Sequence, residues 1–195
     1  MIIKCASFDV ETTFQLVKDG KKKKYDPSPF NQKNYLTAAG VLRFDLDWST
    51  ERKEILAVLA DTSILVKADA RTTKDVGALL QKVQLVLGHF IKFDLLWFKC
   101  CGIAVNRPIY DTGIAEFVLA RGQRVPLDLD SVAQRYGFPG KEEEVSQMIK
   151  DGISTSEIPW GKLSKYLAID LERAMQVFIE QVKRNKLDVQ QLAHL

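Results

Sequence analysis

The 195-residue chain is 46% hydrophobic and 27% charged, which suits a globular protein with room for one sizeable core and little for two. No apolar run approaches the ~20 residues that a membrane helix needs, and the opening Met1-Ile2-Ile3-Lys4-Cys5 lacks the layout of a secretory signal. Three cysteines, two of them adjacent, and two histidines give no zinc or disulfide pattern and suit a reducing cytoplasm, while a net charge of +3 permits nucleic-acid binding without requiring it.

Residues 2–10 are rich in strand formers and end in acids, which predicts a first strand. Residues 18–34 mix Gly, Pro, Asn and lysines, the composition of a polar connection or flap. Residues 35–45 predict a second strand, and 54–60 and 63–67 two shorter ones. A helix over 72–82 is expected to start at Thr72 or Thr73 as its cap. The apolar run 83–88 reads as a strand buried on both faces, and Phe90 to Cys101 continues at helical spacing. From Asp111 onward helices are predicted over 111–121, 128–136, 141–150 and 160–184, with Pro126, Pro139-Gly140 and Pro159 marking the breaks. No repeat or linker divides the chain, so one domain is expected over 1–195. Strands, then a strand–helix unit, then helices predict an α/β fold, a mixed sheet with helices packed on it.

Three separate segments carry acids whose spacing suggests chemistry. In Phe8-Asp9-Val10-Glu11-Thr12, residues i and i+2 of a strand share a face, so Asp9 and Glu11 project together. Two neighbouring carboxylates on a mostly buried sheet resist desolvation unless a cation compensates them, and hard divalent cations favour such oxygen ligands. In Gly88-His89-Phe90-Ile91-Lys92-Phe93-Asp94, the acid falls in the first turn of a helix after a buried strand. In Tyr166-Leu167-Ala168-Ile169-Asp170, the i, i+4 spacing puts phenol and carboxylate on one helix face. Each has a plain structural reading when taken alone: solvated surface acids, a helix-start acid favoured by the macrodipole, a chance pair.

Together and in this order, these segments resemble the DEDD (DnaQ-like) 3′→5′ exonuclease superfamily, and specifically its tyrosine branch, because Tyr166 stands four residues before Asp170 whereas the histidine branch places His five before, where Lys165 stands here. The proofreading domains of polymerase I-type bacterial and phage DNA polymerases are the nearest in appearance. The segment Tyr110-Asp111-Thr112-Gly113-Ile114-Ala115-Glu116 and the run over 158–170 add to the likeness, which spans residues 3–180.

The resemblance implies a ribonuclease H-like fold, a mixed five-stranded sheet flanked by helices, and a two-metal hydrolysis of DNA from single-stranded or frayed 3′ ends to nucleoside 5′-monophosphates. Asp9, Glu11, Asp94 and Asp170 would hold two divalent cations, Mg²⁺ or Mn²⁺, and Tyr166 would orient the attacking water. Glu11 and Thr12 would meet the terminal 3′-OH, and Phe14 would wedge against the terminal base. Phe90 falls where members contact the nucleotide near the 3′ end, and His89 beside it is either a further group of that substrate site or a packed or surface histidine. Many polymerase-type members carry Asn at the position of Phe90, which cannot hydrogen-bond but can stack on a base. The implied partners are a DNA 3′ end and a separately encoded DNA polymerase, with RNA after DNA and no membrane. An RNA-trimming enzyme of the ribonuclease D type is the alternative, since it shares the same five residues; a non-catalytic binding or polymerase-accessory subunit is another.

Several other residues have more than one reading. The run Lys21–Lys24 either contacts phosphates or forms a solvated hairpin. Asp111 is read as a helix cap outside the metal set. Arg121, Arg124 and Arg135 are candidates for a nucleic-acid track, and Phe93, Trp97 and Phe98 are expected in the core.

Overall fold

The computed structural model describes residues 1–19, 22–140 and 143–194. Its main sheet has five strands in the order β5-β4-β1-β6-β7: β1 (Ile2–Thr12), β4 (Leu36–Ser49), β5 (Glu54–Lys67), β6 (Leu85–Gly88) and β7 (Ile109–Asp111). β1 is central, antiparallel to β4 and parallel to β6. β4–β5 is antiparallel and β6–β7 parallel, so the sheet is mixed, as expected. The helices are α1 (Ala70–Leu80), α2 (Lys92–Cys100), α3 (Thr112–Leu119), α4 (Leu129–Arg135), α5 (Glu143–Lys150), α6 (Trp160–Asn185) and α7 (Val189–Leu192). A separate two-stranded ribbon, β2 (Gln15–Asp19) and β3 (Lys22–Asp26), stands in the region expected to be a polar connection.

The alternation of β1 sorts its side chains into two cores. Ile3 and Cys5 face the long helix α6 and pack with Leu163, Leu167, Leu171, Ala174 and Phe178. Ala6, Phe8 and Val10 face α1 and α2, where Phe8 meets the Phe98 ring edge-on at 4.6 Å between centroids. Continuing the α6 side of β1, the series runs Ile3, Cys5, Ser7, Asp9, Glu11, so the strand passes from apolar to acidic along one face. All four residues of β6 are buried, as its unbroken apolar run predicts.

Three local expectations are corrected and two short elements are added. The cap of α1 is Asp69, whose carboxylate accepts the Arg71 and Thr72 N–H groups, while the Thr72 hydroxyl accepts the Asp69 N–H in return. The two strands expected over 54–60 and 63–67 are one. The polar Asp61-Thr62 that separates them lies at a register shift opposite Arg43, where Arg43 pairs with Asp61 at 2.5 Å. Strand β7 has only three residues, too short for periodicity to show, and follows Pro108, whose carbonyl accepts the Val86 N–H at 3.0 Å. α7 was likewise unanticipated. Phe93 is half-buried, whereas Trp97 and Phe98 are core residues. Among the described residues no helix is long and apolar enough to cross a membrane.

Helix α6 sits close to the sheet because of Gly40 on β4, paired across to Asp9. A Cβ at Gly40 would lie 2.8 Å from Leu171 Cδ1 and 3.0 Å from Leu167 Cγ, so only glycine admits the helix at this height. Gly40→Val should lift α6 from the strand and cost about 1–3 kcal/mol by overpacking. Urea unfolding checks this, as a lowered midpoint with an unchanged slope.

Candidate metal centre

Three elements meet at the carboxyl end of β1. Asp9 and Glu11 extend from the strand on the side of α6. Asp170 descends from α6, 8% exposed and fixed by the Leu167 and Leu171 packing on Gly40. One carboxylate oxygen from each of Asp9, Glu11 and Asp170 lies within 4.8 Å of the other two. Asp94 arrives from α2 on the opposite side of the strand, 4% exposed, and its Oδ1 accepts the Val10 N–H at 3.1 Å. That N–H lies beyond the end of β6, where the ladder offers it no partner strand. Gly88 permits the tight turn from β6 into α2: a Cβ there would come within 2.8 Å of the Phe8 carbonyl oxygen.

Asp94 is held well above the usual carboxylate range, first by burial and then by the charge of Asp9 beside it; the Val10 N–H bond acts in the opposite direction. At ~4 Å two like charges repel by roughly 4 kcal/mol at an effective dielectric of 20, so three acids within 4.8 Å of one another, with Asp94 beside Asp9, call for positive charge. The donor set is oxygen only, with no histidine or cysteine in it, and its span admits a small hard cation. These residues therefore fit Mg²⁺ or Mn²⁺. The sequence-predicted acids Asp9, Glu11 and Asp170 converge, and Asp94 joins through Asp9.

Tyr166 lies one turn before Asp170 on α6. It is half-buried and lines a cavity of about 160 Å³ with Gly161, Lys162, Lys165 and Glu144. Thr12 is buried at the end of β1. Phe14 packs edge-on against Tyr25, with centroids 4.7 Å apart.

His89 and Phe90 turn toward α3. His89 Nδ1 lies 2.9 Å from Thr112 Oγ1 and Nε2 lies 2.6 Å from the Leu127 carbonyl, so the ring ties the loop before α4 to the start of α3. Phe90 is 43% exposed and adopts φ 53°, an uncommon conformation for a bulky residue. Its N–H donates to Asp111 Oδ1 at 2.9 Å and its ring lies over Gly113, where a Cβ would come within 2.9 Å. Asp111 is the cap of α3, as expected, accepting from Gly113 and Ile114 N–H as well.

A polar network was not anticipated. Glu116 accepts from Arg135 (3.0 Å), the Tyr136 hydroxyl (2.8 Å) and Gln181 Nε2 (3.0 Å), while the Tyr110 hydroxyl donates to Gln181 Oε1 at 3.2 Å. Burial pushes the Glu116 pKa up, but the three donors outweigh it and leave the carboxyl below its ordinary range. The segment 110–116 is thus accounted for by packing and capping. Nothing in the sequence joined Glu116 to Gln181, 65 residues on. Arg135, a candidate for a nucleic-acid track, is engaged with Glu116 and the Pro126 carbonyl instead.

Neither a protein-family model nor a curated protein sequence matches this chain. Solved structures do match its fold. A nuclease in its apo form superposes with a TM-score of 0.60 at 15% identity, covering 97% of this chain and 78% of that one. Brucella melitensis NrnC with bound Mg²⁺ gives a TM-score of 0.57 at 17% identity with the same coverage, and a further structure of Brucella melitensis NrnC gives 0.55. The α/β fold of this chain is that of these nucleases.

Metal binding should compete with protons at this centre, because a raised Asp94 pKa means the cation-free site holds protons that a cation displaces. For a carboxyl raised on folding, the stability it lends is present in acid and lost as pH rises through its folded pKa. Mg²⁺ should therefore raise the melting temperature more at alkaline than at acidic pH. Asp9→Asn should remove most of that increment, as thermal scans with Mg²⁺ and with EDTA would read out.

Proposed function

We propose that the chain is a metal-dependent exonuclease that releases nucleoside 5′-monophosphates from the 3′ ends of single-stranded nucleic acid, with RNA ends as its first substrate class and DNA ends as the second. The observation that carries this reading is the meeting of Asp9, Glu11 and Asp170 within 4.8 Å at the end of the central strand, with Asp94 against Asp9 and Tyr166 one helical turn from Asp170. The nuclease neighbours and the Mg²⁺ in one of them support it.

Bound cations would supply an activated water and neutralise charge on the phosphate under attack. Asp9, Glu11, Asp94 and Asp170 would hold them. The Tyr166 hydroxyl would orient the attacking water without needing to ionise. Glu11 and Thr12, at the strand terminus, would meet the 3′-OH and confine attack to chain ends. Phe14 and Phe90 would offer apolar faces to the terminal bases, with His89 holding the backbone that carries Phe90.

Two features weigh against a polymerase-type proofreading domain and so place the alternative, RNA ends, first. The neighbours are chains only modestly longer than this one, with little room for a polymerase domain in the same chain beside the shared fold. Phe90 also occupies the place of the Asn that many polymerase-type members carry, and its strained backbone fixes a stacking surface there rather than an amide. The DNA reading, with a polymerase as partner, rests on the motif resemblance.

The test is digestion of 5′-labelled RNA and DNA strands of one sequence. A ladder shortening from the 3′ end with Mg²⁺ and absent with EDTA is expected, faster on RNA. Asp9→Ala should lower the rate on the order of a thousandfold, and Tyr166→Phe on the order of a hundredfold, with the Mg²⁺ thermal shift retained in Tyr166→Phe. Internal cleavage fragments, or an Asp9→Ala protein as active as the parent, would overturn the reading.

A further inference from the structure

Taking the substrate class from the nuclease reading, we propose that a recess beside the metal centre, lined by Tyr35, Lys67 and Trp160, holds the penultimate nucleotide of a bound strand. The rings take its base and Lys67 takes its 5′ phosphate, so that the terminal phosphodiester is presented to the carboxylates.

The recess opens on the same face of the sheet as Glu11. Glu11 pairs with Ala38 on β4, and Ala38 pairs with Lys67 on β5. Residues directly opposite one another across antiparallel strands share a face, so Glu11, Ala38 and Lys67 form one row on the α6 side. Two strand spacings put the Lys67 backbone roughly 10 Å from that of Glu11, with only the small Ala38 between them. A lysine at the far end of this row reaches the nucleotide next to the one whose 3′-OH meets Glu11.

The lining is held in place from several sides. Tyr35 is 55% exposed, yet its backbone is fixed at two points: its N–H donates to Thr13 Oγ1 at 2.9 Å, and its carbonyl accepts the Thr13 N–H at 3.0 Å. A large ring is thus presented to solvent on a rigid base, just past the end of β1. Trp160, the first residue of α6, also lines the recess, with Lys67 Nζ 5.8 Å from its ring centre. Thr37 Oγ1 donates to Thr155 Oγ1 at 2.9 Å, which ties the segment before α6 to β4. The open volume is about 260 Å³, at the lower end of small-ligand pockets and suited to a base with its sugar.

Charge and shape select the ligand class. Among the described residues the lining holds one cation, two exposed or half-exposed rings and the hydroxyl residues Thr37, Thr155 and Ser156, and no acid. Lys67 has no carboxylate partner among them, only the Trp160 indole. Positive charge beside aromatic rings is the make-up of a single-strand site, in which cations follow phosphates and rings meet bases. The lysine run over 21–24 takes no part in this site; Lys21 and the side chains of Lys22 and Lys23 lie outside the described residues.

The experiment measures anisotropy of a 5′-fluorescein-labelled oligouridylate, and of the same strand lacking its penultimate base, across a salt series. In both probes the terminal linkage carries a methylene in place of the bridging 3′ oxygen, so that Mg²⁺ can be present without cleavage. The parent should bind the intact probe on the order of tenfold more tightly than the abasic one. Tyr35→Ala should bind the intact probe about tenfold more weakly and lose most of that discrimination, whereas Tyr35→Phe should keep it. Lys67→Gln should lose about 0.7 from the slope of log affinity against log salt, and Lys67→Arg should keep the parent slope. Lys82→Gln, which alters an exposed lysine near Lys4 at the far end of β1, should match the parent in both readouts. A Tyr35→Ala protein that discriminates as the parent does, an unchanged slope in Lys67→Gln, or an equal loss in Lys82→Gln overturns the subsite. If the losses appear as expected but natural strands are not hydrolysed with Mg²⁺, the subsite stands as a strand-binding site and the nuclease reading fails.

Discussion

The crowding of acids at the end of the central strand, three within 4.8 Å and Asp94 beside Asp9, is the constraint around which this end of the molecule is organised. Nothing local brings them together. Asp9 and Glu11 follow from strand alternation, but Asp94 and Asp170 are delivered by helices on opposite faces of the sheet. Apolar packing supplies the force: α6 buries Leu163, Leu167, Leu171, Ala174 and Phe178, and at ~25 cal/mol per Å² of apolar surface such burial can hold charges that would otherwise separate. Gly40 and Gly88 mark where the approach is closest, each at a point where one added methyl group would displace an acid-bearing helix.

A second buried acid makes an informative contrast with Asp94. Glu116 is about as buried as Asp170, yet its surroundings supply an arginine, a phenol and an amide, and its carboxyl falls below the ordinary range. Asp94 is more buried and faces another acid, and its carboxyl rises. The same chain thus surrounds one buried carboxylate with donors and sets the other beside a second acid. Glu116 ties α3 to α4 and α6; the Asp9 cluster is suited to ligand binding. The contrast separates structural acids from candidate metal ligands better than burial alone.

Legibility in the sequence followed interaction range. The positions of β1, β4, β6 and α6 could be read because periodicity and punctuation are local, as could the shared face of Asp9 with Glu11 and the stacking of Tyr166 on Asp170. The Asp111 cap was legible for the same reason. The cap of α1 was misplaced by three residues because Asp69 and Thr72 cap reciprocally, so that either fits the pattern. Strand β5 was divided at Asp61-Thr62, since polar residues at a bulge look like a turn until the partner strand is known. The convergence of Asp94 and Asp170 on Asp9 was available only through resemblance, and the bond from Gln181 to Glu116 not at all, because no spacing rule connects residues from separate helices.

The turn after β6 illustrates how such distant choices reinforce one another. Phe90 adopts a left-handed backbone that costs a bulky residue on the order of 1 kcal/mol or more, so something must compensate. Three contacts do: its N–H meets Asp111, its ring fills the space left by the absent side chain of Gly113, and the neighbouring His89 is held at both ring nitrogens, by Thr112 and Leu127. Asp111 serves Phe90 and the first turn of α3 at once, so capping the helix and setting the turn are a single event. The turn in turn sets where α2 begins, and α2 carries Asp94. A side chain read as a simple helix cap therefore helps determine where a candidate metal ligand sits, although it lies outside the ligand set.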